Sequence, residues 1–305
     1  MIRYFNFVLI CLCCVGILFS QNTYPIILIH GFLGWGRNEM AGYYYWGGKT
    51  DFESEMRDMG YRVYTVSMGP VSPNYERAVE AFYQIKGGQL DYGRGRAKST
   101  GYIQKPVDKS YPGLFPQWDA DHPVHIIGHS QGGLTAKMLE VLLDTLIVDE
   151  EGILLSEKHE GWIASITTIS TPHNGTTLVP LMLDVFPFVI GLAPWLGGIE
   201  NRTIDKLYSF DLEHWGLERL KGESIKEYSR RISQSDLKDD KNLCTWDLSI
   251  EGTATFNDYY HTDLERYYFS IPTFSSVRRK KNPKHKPDSV ASFRLWPTTL
   301  LIGGD

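Results

Sequence analysis

Apolar and polar positions along this chain keep two rhythms. Pro25-Ile26-Ile27-Leu28-Ile29-His30 is a continuous apolar run, as expected of a strand buried on both faces of a parallel sheet. Tyr61 to Val66 alternates like a strand, and Val124 to Ile127, Ile163 to Ser170 and Tyr267 to Ile271 supply three more. Between them the period lengthens. Phe52, Met56 and Met59 stand at helical spacing before Gly60; Tyr75, Val79 and Phe82 mark a second helix, stopped by Gly87-Gly88; Leu134, Met138, Val141 and Leu142 mark a third. Strand, helix, strand, helix, strand is the order of a doubly wound α/β sheet, mostly parallel and with helices on both faces. Later, Ser224-Ile225-Lys226-Glu227 has capping-box spacing, with Ile225, Tyr228 and Ile232 on one face. Residues 86 to 118, rich in Gly, Lys, Arg and Tyr, read as a loop insertion, and no internal repeat is present.

Two apolar stretches stand outside that alternation. Phe5 to Phe19, behind Arg3, is shorter than an ordinary membrane-spanning helix and has the length of a secretory h-region. Residues 1–20 are therefore expected to be a signal peptide, which implies a secreted or periplasmic protein. Leu18 sits where a small residue is wanted before a cut after Ser20, so an uncleaved membrane anchor formed by residues 5–19 stays open. Cys11, Cys13 and Cys14 lie inside the run, which leaves Cys244 alone in the mature chain and allows no internal disulfide. Leu178 to Gly198 carries only Asp184 as a charge and is broken by Pro180, Pro187 and Pro194. Those prolines argue against one long core helix. A lid that turns its apolar face to lipid and a pair of permanently buried helices both remain open for residues 178–198.

With 305 residues, 42% hydrophobic and 22% charged, the chain can bury one large core, and residues 21–305 are expected to form a single domain. The net charge of −5 gives no reason to expect a nucleic-acid partner. The basic run from Arg278-Arg279-Lys280-Lys281 to Lys286 reads as a solvated loop.

The candidate chemistry sits where a strand-like run meets a helix-like one. Gly128-His129-Ser130-Gln131-Gly132 is a Gly-x-Ser-x-Gly pentapeptide with a strand before it and a helix after it, the context in which such a serine sits on a sharp turn with Oγ exposed. Ser130 is the candidate nucleophile. The helix behind it aims its first amides and positive dipole end at the place where an oxyanion would form. Gly31-Phe32-Leu33-Gly34-Trp35-Gly36, at the end of the first strand, is a glycine-rich turn whose Phe32 amide is the candidate first oxyanion donor. Tyr43-Tyr44-Tyr45-Trp46 reads as loop packing, and His173 as a loop histidine bonded to backbone.

These motifs, together with Tyr45-Trp46-Gly47-Gly48, Asp91-Tyr92-Gly93, Tyr111-Pro112-Gly113-Leu114, Thr171-Pro172-His173-Asn174-Gly175-Thr176-Thr177-Leu178 and Trp215-Gly216-Leu217, run in an order that resembles the secreted triacylglycerol lipases of the thermoalkaliphilic Bacillus and staphylococcal group. The resemblance extends from Tyr24 to about Tyr268. It implies an α/β-hydrolase fold with a lid from Leu178, Ser130 as nucleophile, the Phe32 and Gln131 amides as oxyanion hole, and a lipase or carboxylesterase acting on acylglycerol esters at a lipid–water interface. Hydrolysis of other esters, such as phospholipid or polyester, uses the same machinery and stays open.

Two departures accompany the resemblance. The family's catalytic aspartate and histidine lie in an Asn-Asp-Gly-like and an Asp-His-like segment that are not found here, so the acid and base are expected beyond the chain end; His261, His285 and Asp288 are the late alternatives. A non-catalytic lipid-binding relative is the competing reading. The family's zinc site, built from two aspartates and two histidines, aligns with Glu76, Arg96, Tyr102 and Asp247. Arginine and tyrosine cannot replace two imidazoles on zinc, so no metal ligand is assigned, no cofactor is required for the chemistry, and calcium is left open. Arg96 is expected to lie between Glu76 and Asp247 and to form a bidentate pair there.

Overall fold

Five parallel strands carry the molecule: β1 (Ile26–Ile29), β2 (Val63–Val66), β5 (Val124–His129), β6 (Ile163–Ile169) and β7 (Tyr267–Ile271), in the spatial order β2-β1-β5-β6-β7. They are seen in a computed structural model that describes residues 23–40, 42–148, 150–180, 182, 217, 219–220, 222–235, 242–274, 276–279 and 282–288. The expected leader and nearly all of the expected lid lie outside the described residues. Among those described, no helix is long and apolar enough to cross a membrane.

The registers fix the working edge of the sheet. Ile29 pairs with Val66 on one side and Gly128 on the other, His129 pairs with Ile169, and Ile169 with Ile271, so these strands end together. From β1 the chain steps outward to β2, and from β5 it steps the other way to β6. That makes the crevice between the carboxyl ends of β1 and β5 the topological switch point, where ligands of open α/β sheets bind.

The helices are α1 (Phe52–Asp58), α2 (Asn74–Lys86), α3 (Arg94–Thr100), α4 (Gln131–Leu143), α5 (Ile153–Ser156), α6 (Ile225–Ser233), α7 (Cys244–Leu248) and α8 (Ile250–Tyr259). Ile27, Ile29, Val66, Ile126, Ile163 and Ile166 of the sheet form one buried core with Ala78, Val79, Phe82 and Ile85 of α2 and Ala136, Leu139, Leu142 and Leu143 of α4. Burying that apolar surface is the main source of the fold's stability. The capping box at Ser224 and Glu227 forms in both directions. A second, smaller cluster joins Tyr228 and Ile232 of α6 to Leu243, Cys244 and Val71, with Phe32 and Leu33 packed on it. The turn after β1 is thus supported from outside by the carboxyl-terminal third of the chain.

Two segments differ from their sequence reading. The insertion at 86–118 holds α3 and a small antiparallel ribbon of β3 (Gly88–Gln89) and β4 (Ser110–Tyr111). Helix α3 buries none of its residues, so no apolar period announces it. It is started instead by Glu150, whose carboxylate accepts the Arg94 and Gly95 amides at 2.7 Å each. The basic run is an antiparallel hairpin of β8 (Ser276–Arg279) and β9 (Asn282–Pro287). Charge in a sequence says nothing of backbone pairing.

Candidate active site

Ser130 joins β5 to α4 at φ 55° and ψ −124°. A non-glycine residue in that region costs roughly 1–3 kcal/mol and persists only where its surroundings over-determine it. Here they do. The Ser130 amide donates to the Ile169 carbonyl at 2.8 Å, and its own carbonyl accepts the Gly133 amide at 3.1 Å. Gly128 and Gly132 are required for close approach: a Cβ on Gly132 would lie 2.3 Å from the Ile29 carbonyl oxygen, and one on Gly128 would lie 2.4 Å from that of Gly132. Leu33, Ser130 and Ser170, the non-glycine residues at positive φ among the described residues, follow β1, β5 and β6. Strain gathers at the carboxyl edge of the sheet.

The turn after β1 reaches the same place. Its backbone closes with Gly34 donating to the Gly31 carbonyl at 3.0 Å, and Leu33 takes φ 54°, the left-handed value that a type II turn needs at its third position. A Cβ on Gly31 would lie 2.8 Å from Cβ of Ser130, so the turn and the elbow touch. Among the described residues neither the Phe32 amide nor the Gln131 amide has an acceptor. Both donors therefore remain available beside Ser130. The Gln131 side chain is occupied elsewhere, donating Nε2 to the Ser72 carbonyl at 3.0 Å.

Arg77 lies fully buried beneath this edge. It donates to the Gly69 carbonyl at 2.8 Å, to Thr135 Oγ1 at 3.0 Å and to the His30 carbonyl, tying α2 and α4 to the end of β1. Glu80 balances the floor by accepting the Gly69 amide at 2.8 Å and the Tyr92 hydroxyl at 2.7 Å. The sequence marks neither residue, because Arg77 and Glu80 read there as part of the ordinary polar face of a helix.

Three histidines stand near this edge, and each ring is engaged away from Ser130. His30 accepts the Met68 amide at Nε2 and meets the Gly31 carbonyl at Nδ1; burial, with the Arg77 charge beside it, pushes its pKa down to about 3. His129 Nδ1 lies 2.5 Å from the Tyr45 hydroxyl. His173 Nε2 lies 3.1 Å from Thr168 Oγ1, and its backbone carbonyl, not its ring, accepts the Asn257 side-chain amide at 2.9 Å. Burial lowers the pKa of His129, and burial with the Lys137 charge lowers that of His173. Of the late alternatives, His261 is exposed before β7, His285 lies in β9 and Asp288 follows it. Among the described residues Ser130 Oγ has no base bonded to it.

The positions that align with a zinc site hold a different structure. Arg96 forks onto buried Glu76, Nε to Oε1 at 2.6 Å and Nη2 to Oε2 at 3.0 Å, and stacks 5.0 Å over the Tyr75 ring. Asp247 accepts the Asn74 amide, and the Tyr102 hydroxyl donates to the Asn242 carbonyl at 3.3 Å. A permanent cation on one carboxylate and a phenol committed to backbone do not fit zinc. The expected bidentate pair forms with Glu76 alone. Asp247 instead caps α2, whose own N-cap residue, Pro73, has no side-chain acceptor. Burial pushes the Asp247 carboxyl up to about 7, against the downward pull of the Asn74 amide.

Comparisons with known proteins bear on the family and the fold. Residues 22–305 match the family model described as "Lipase-like, C-terminal domain". The chain is 34% identical over 302 residues to a lipase of Staphylococcus hyicus, covering 93% of this chain and 45% of that one, and 33% identical to Lipase 2 of Staphylococcus aureus, covering 93% and 42%. It thus spans less than half the length of these curated relatives. Among solved structures, EstA from Clostridium botulinum matches at a TM-score of 0.84 and 34% identity, over 92% of this chain and 68% of that one. The Staphylococcus hyicus lipase structure matches at 0.76 and 31%, over 93% and 75%. By its sheet order, its elbow and these matches, the chain belongs to the lipase-like family and has the α/β-hydrolase fold.

Proposed function

We propose that this protein is a secreted lipase or carboxylesterase that cleaves acylglycerol esters through an acyl-enzyme on Ser130. The observation that carries the reading is the strained Ser130 at the head of α4, with the Phe32 and Gln131 amides open beside it. Ser130 Oγ adds to the ester carbonyl carbon as its proton passes to a base. The carbonyl oxygen takes the negative charge and is held by the two amides and the dipole of α4. Collapse breaks the bond to the alcohol, which leaves with that proton, and water then releases the fatty acid by the same route. The base and its acid partner are left unassigned, since no described residue is bonded to Ser130 Oγ. The apolar leader supports export, and the lid reading of residues 178–198 supports action at a lipid–water interface.

The chemistry proposed for the protein calls on no metal. A non-catalytic lipid-binding relative is the second reading, favoured by one observation: His30, His129 and His173 are all committed elsewhere. Hydrolysis of p-nitrophenyl butyrate by the full-length protein separates the two. Turnover that Ser130→Ala abolishes, with an unchanged circular dichroism spectrum, supports the hydrolase. Binding to triglyceride emulsion without turnover supports the second reading.

A further inference from the structure

Tyr45 belongs to the loop between β1 and α1, at the tip of a tight turn in which Tyr44 and Gly48 exchange two backbone hydrogen bonds of 2.7 and 2.9 Å. Its ring is wedged edge-on against Trp35 at 5.4 Å, Trp46 at 5.6 Å and His30 at 5.7 Å. Such packing fixes the ring plane and leaves the hydroxyl one direction to point. There it receives the Gly31 amide at 2.9 Å and meets His129 Nδ1 at 2.5 Å.

One arrangement satisfies every hydrogen at this oxygen. The Gly31 amide can only donate, so the hydroxyl oxygen accepts from it, and among the described residues His129 Nδ1 is the acceptor left for the hydroxyl hydrogen. His129 then carries its proton on Nε2. Burial, which raises the Tyr45 pKa and lowers that of His129, keeps both in the neutral forms this arrangement needs.

The two bonded residues are the ones that precede the reacting groups. Gly31 precedes Phe32, and His129 precedes Ser130. The ladder between β1 and β5 ends at Ile29 and Gly128, short of the pair that must be aligned. Van der Waals contact between Gly31 and Ser130 limits how near the turns come without setting their rotation. From this we infer that Tyr45 is a positioning residue, whose hydroxyl bridges the Gly31 amide and the His129 ring and thereby sets the Phe32 amide against Ser130 Oγ. It touches no substrate and transfers no proton; it acts through the backbone on either side. The kinetic half of this inference rests on the hydrolase reading, and the bridge itself does not.

Tyr45→Phe removes one oxygen and keeps the ring, and two kinds of readout follow it in the full-length protein. In nitrogen-15 spectra of labelled histidine, His129 should be the Nε2–H tautomer, with its Nδ1 resonance displaced by the accepted bond; Tyr45→Phe should move that resonance to the value of an unbonded acceptor. Exchange of the Gly31 amide should quicken about tenfold or more, while Ile27 and Ile126 in the ladder stay as they were. For p-nitrophenyl butyrate, kcat should fall roughly ten- to a hundredfold, the scale of a misplacement by about an ångström, with KM within about twofold. An Nδ1–H tautomer in the unsubstituted protein overturns the bridge as assigned, with the hydroxyl donating to His129, whether or not the variant folds. Unchanged His129 and Gly31 signals in Tyr45→Phe overturn it too, and changed signals with unchanged kcat overturn its positioning role. A full-length protein that hydrolyses no ester, yet whose His129 and Gly31 signals respond, supports the bridge and contradicts the hydrolase reading.

Discussion

Helices α2 and α4 are both thirteen residues long, and neither is capped by the side chain of its own N-cap residue. They handle the unpaired amides at that end in opposite ways. At α2, where Pro73 has nothing to offer, Asp247 reaches in from 173 residues along the chain to take the Asn74 amide. Glu76 in the first turn adds a second acid, and Arg96 closes over it. At α4 the N-cap is Ser130, its side chain makes no capping bond to the helix, and the Gln131 amide has no acceptor among the described residues. A helix start that only supports the fold is satisfied from whatever distance is needed. One left open, under strain and at the topological switch point, is where the proposed oxyanion would sit.

The largest effect should come from closing the open end. Gly132→Ala places a methyl group 2.3 Å from the Ile29 carbonyl oxygen, so α4 must move and Ser130 with it. Turnover should fall by about a hundredfold or more, against a loss of stability of about 1–3 kcal/mol read by denaturant titration. Equal kcat in the variant would mean that the elbow geometry is not used.

At the closed end, Arg96→Ala strands the buried Glu76 carboxylate. The loss should be roughly 3 kcal/mol, the low end for a broken buried pair because Arg96 is 24% exposed. Neither zinc nor a chelator should shift the melting temperature of the unmodified protein. A zinc-dependent rise would show that the metal site survives despite Arg96.

Asp247 adds a pH dependence of known sign. Its folded pKa, about 7, lies above the ordinary 3.8, so the stability it contributes is complete below about pH 4 and is lost as pH rises through 7. Asp247→Asn keeps an acceptor for the Asn74 amide and removes that loss. Melting temperatures from pH 4 to 8.5 should therefore show the variant gaining on the parent as pH rises, with the gain levelling off above 7. A gain that instead grows toward low pH would contradict the assignment. The smallest effect belongs to an ordinary cap: Ser224→Ala, which breaks the capping box of α6, should cost about 1 kcal/mol and leave turnover alone.

The strands and the open helix end were legible in the sequence because each is written locally. Apolar runs such as Ile26–Ile29 mark the sheet, and Gly128 and Gly132 mark a turn crowded by backbone. The closed end was half legible: the resemblance placed Arg96 between Glu76 and Asp247, and Arg96 does fork onto Glu76, whereas Asp247 as the cap of α2 depends on a meeting across 173 residues. Tyr45 looked like packing because its hydroxyl partners, 14 and 84 residues away, leave no mark on its neighbours. Arg77 and Glu80 look, in sequence, like the exposed face of a helix whose every side is in fact covered.

One measurement bears most directly on Ser130 as nucleophile. The full-length protein is treated with a fluorophosphonate, with and without competing p-nitrophenyl butyrate, and digested for mass spectrometry. A single adduct on Ser130, suppressed by the ester and absent from Ser130→Ala, is the predicted result. Ester hydrolysis with no adduct there, or with an adduct on another residue, would contradict it.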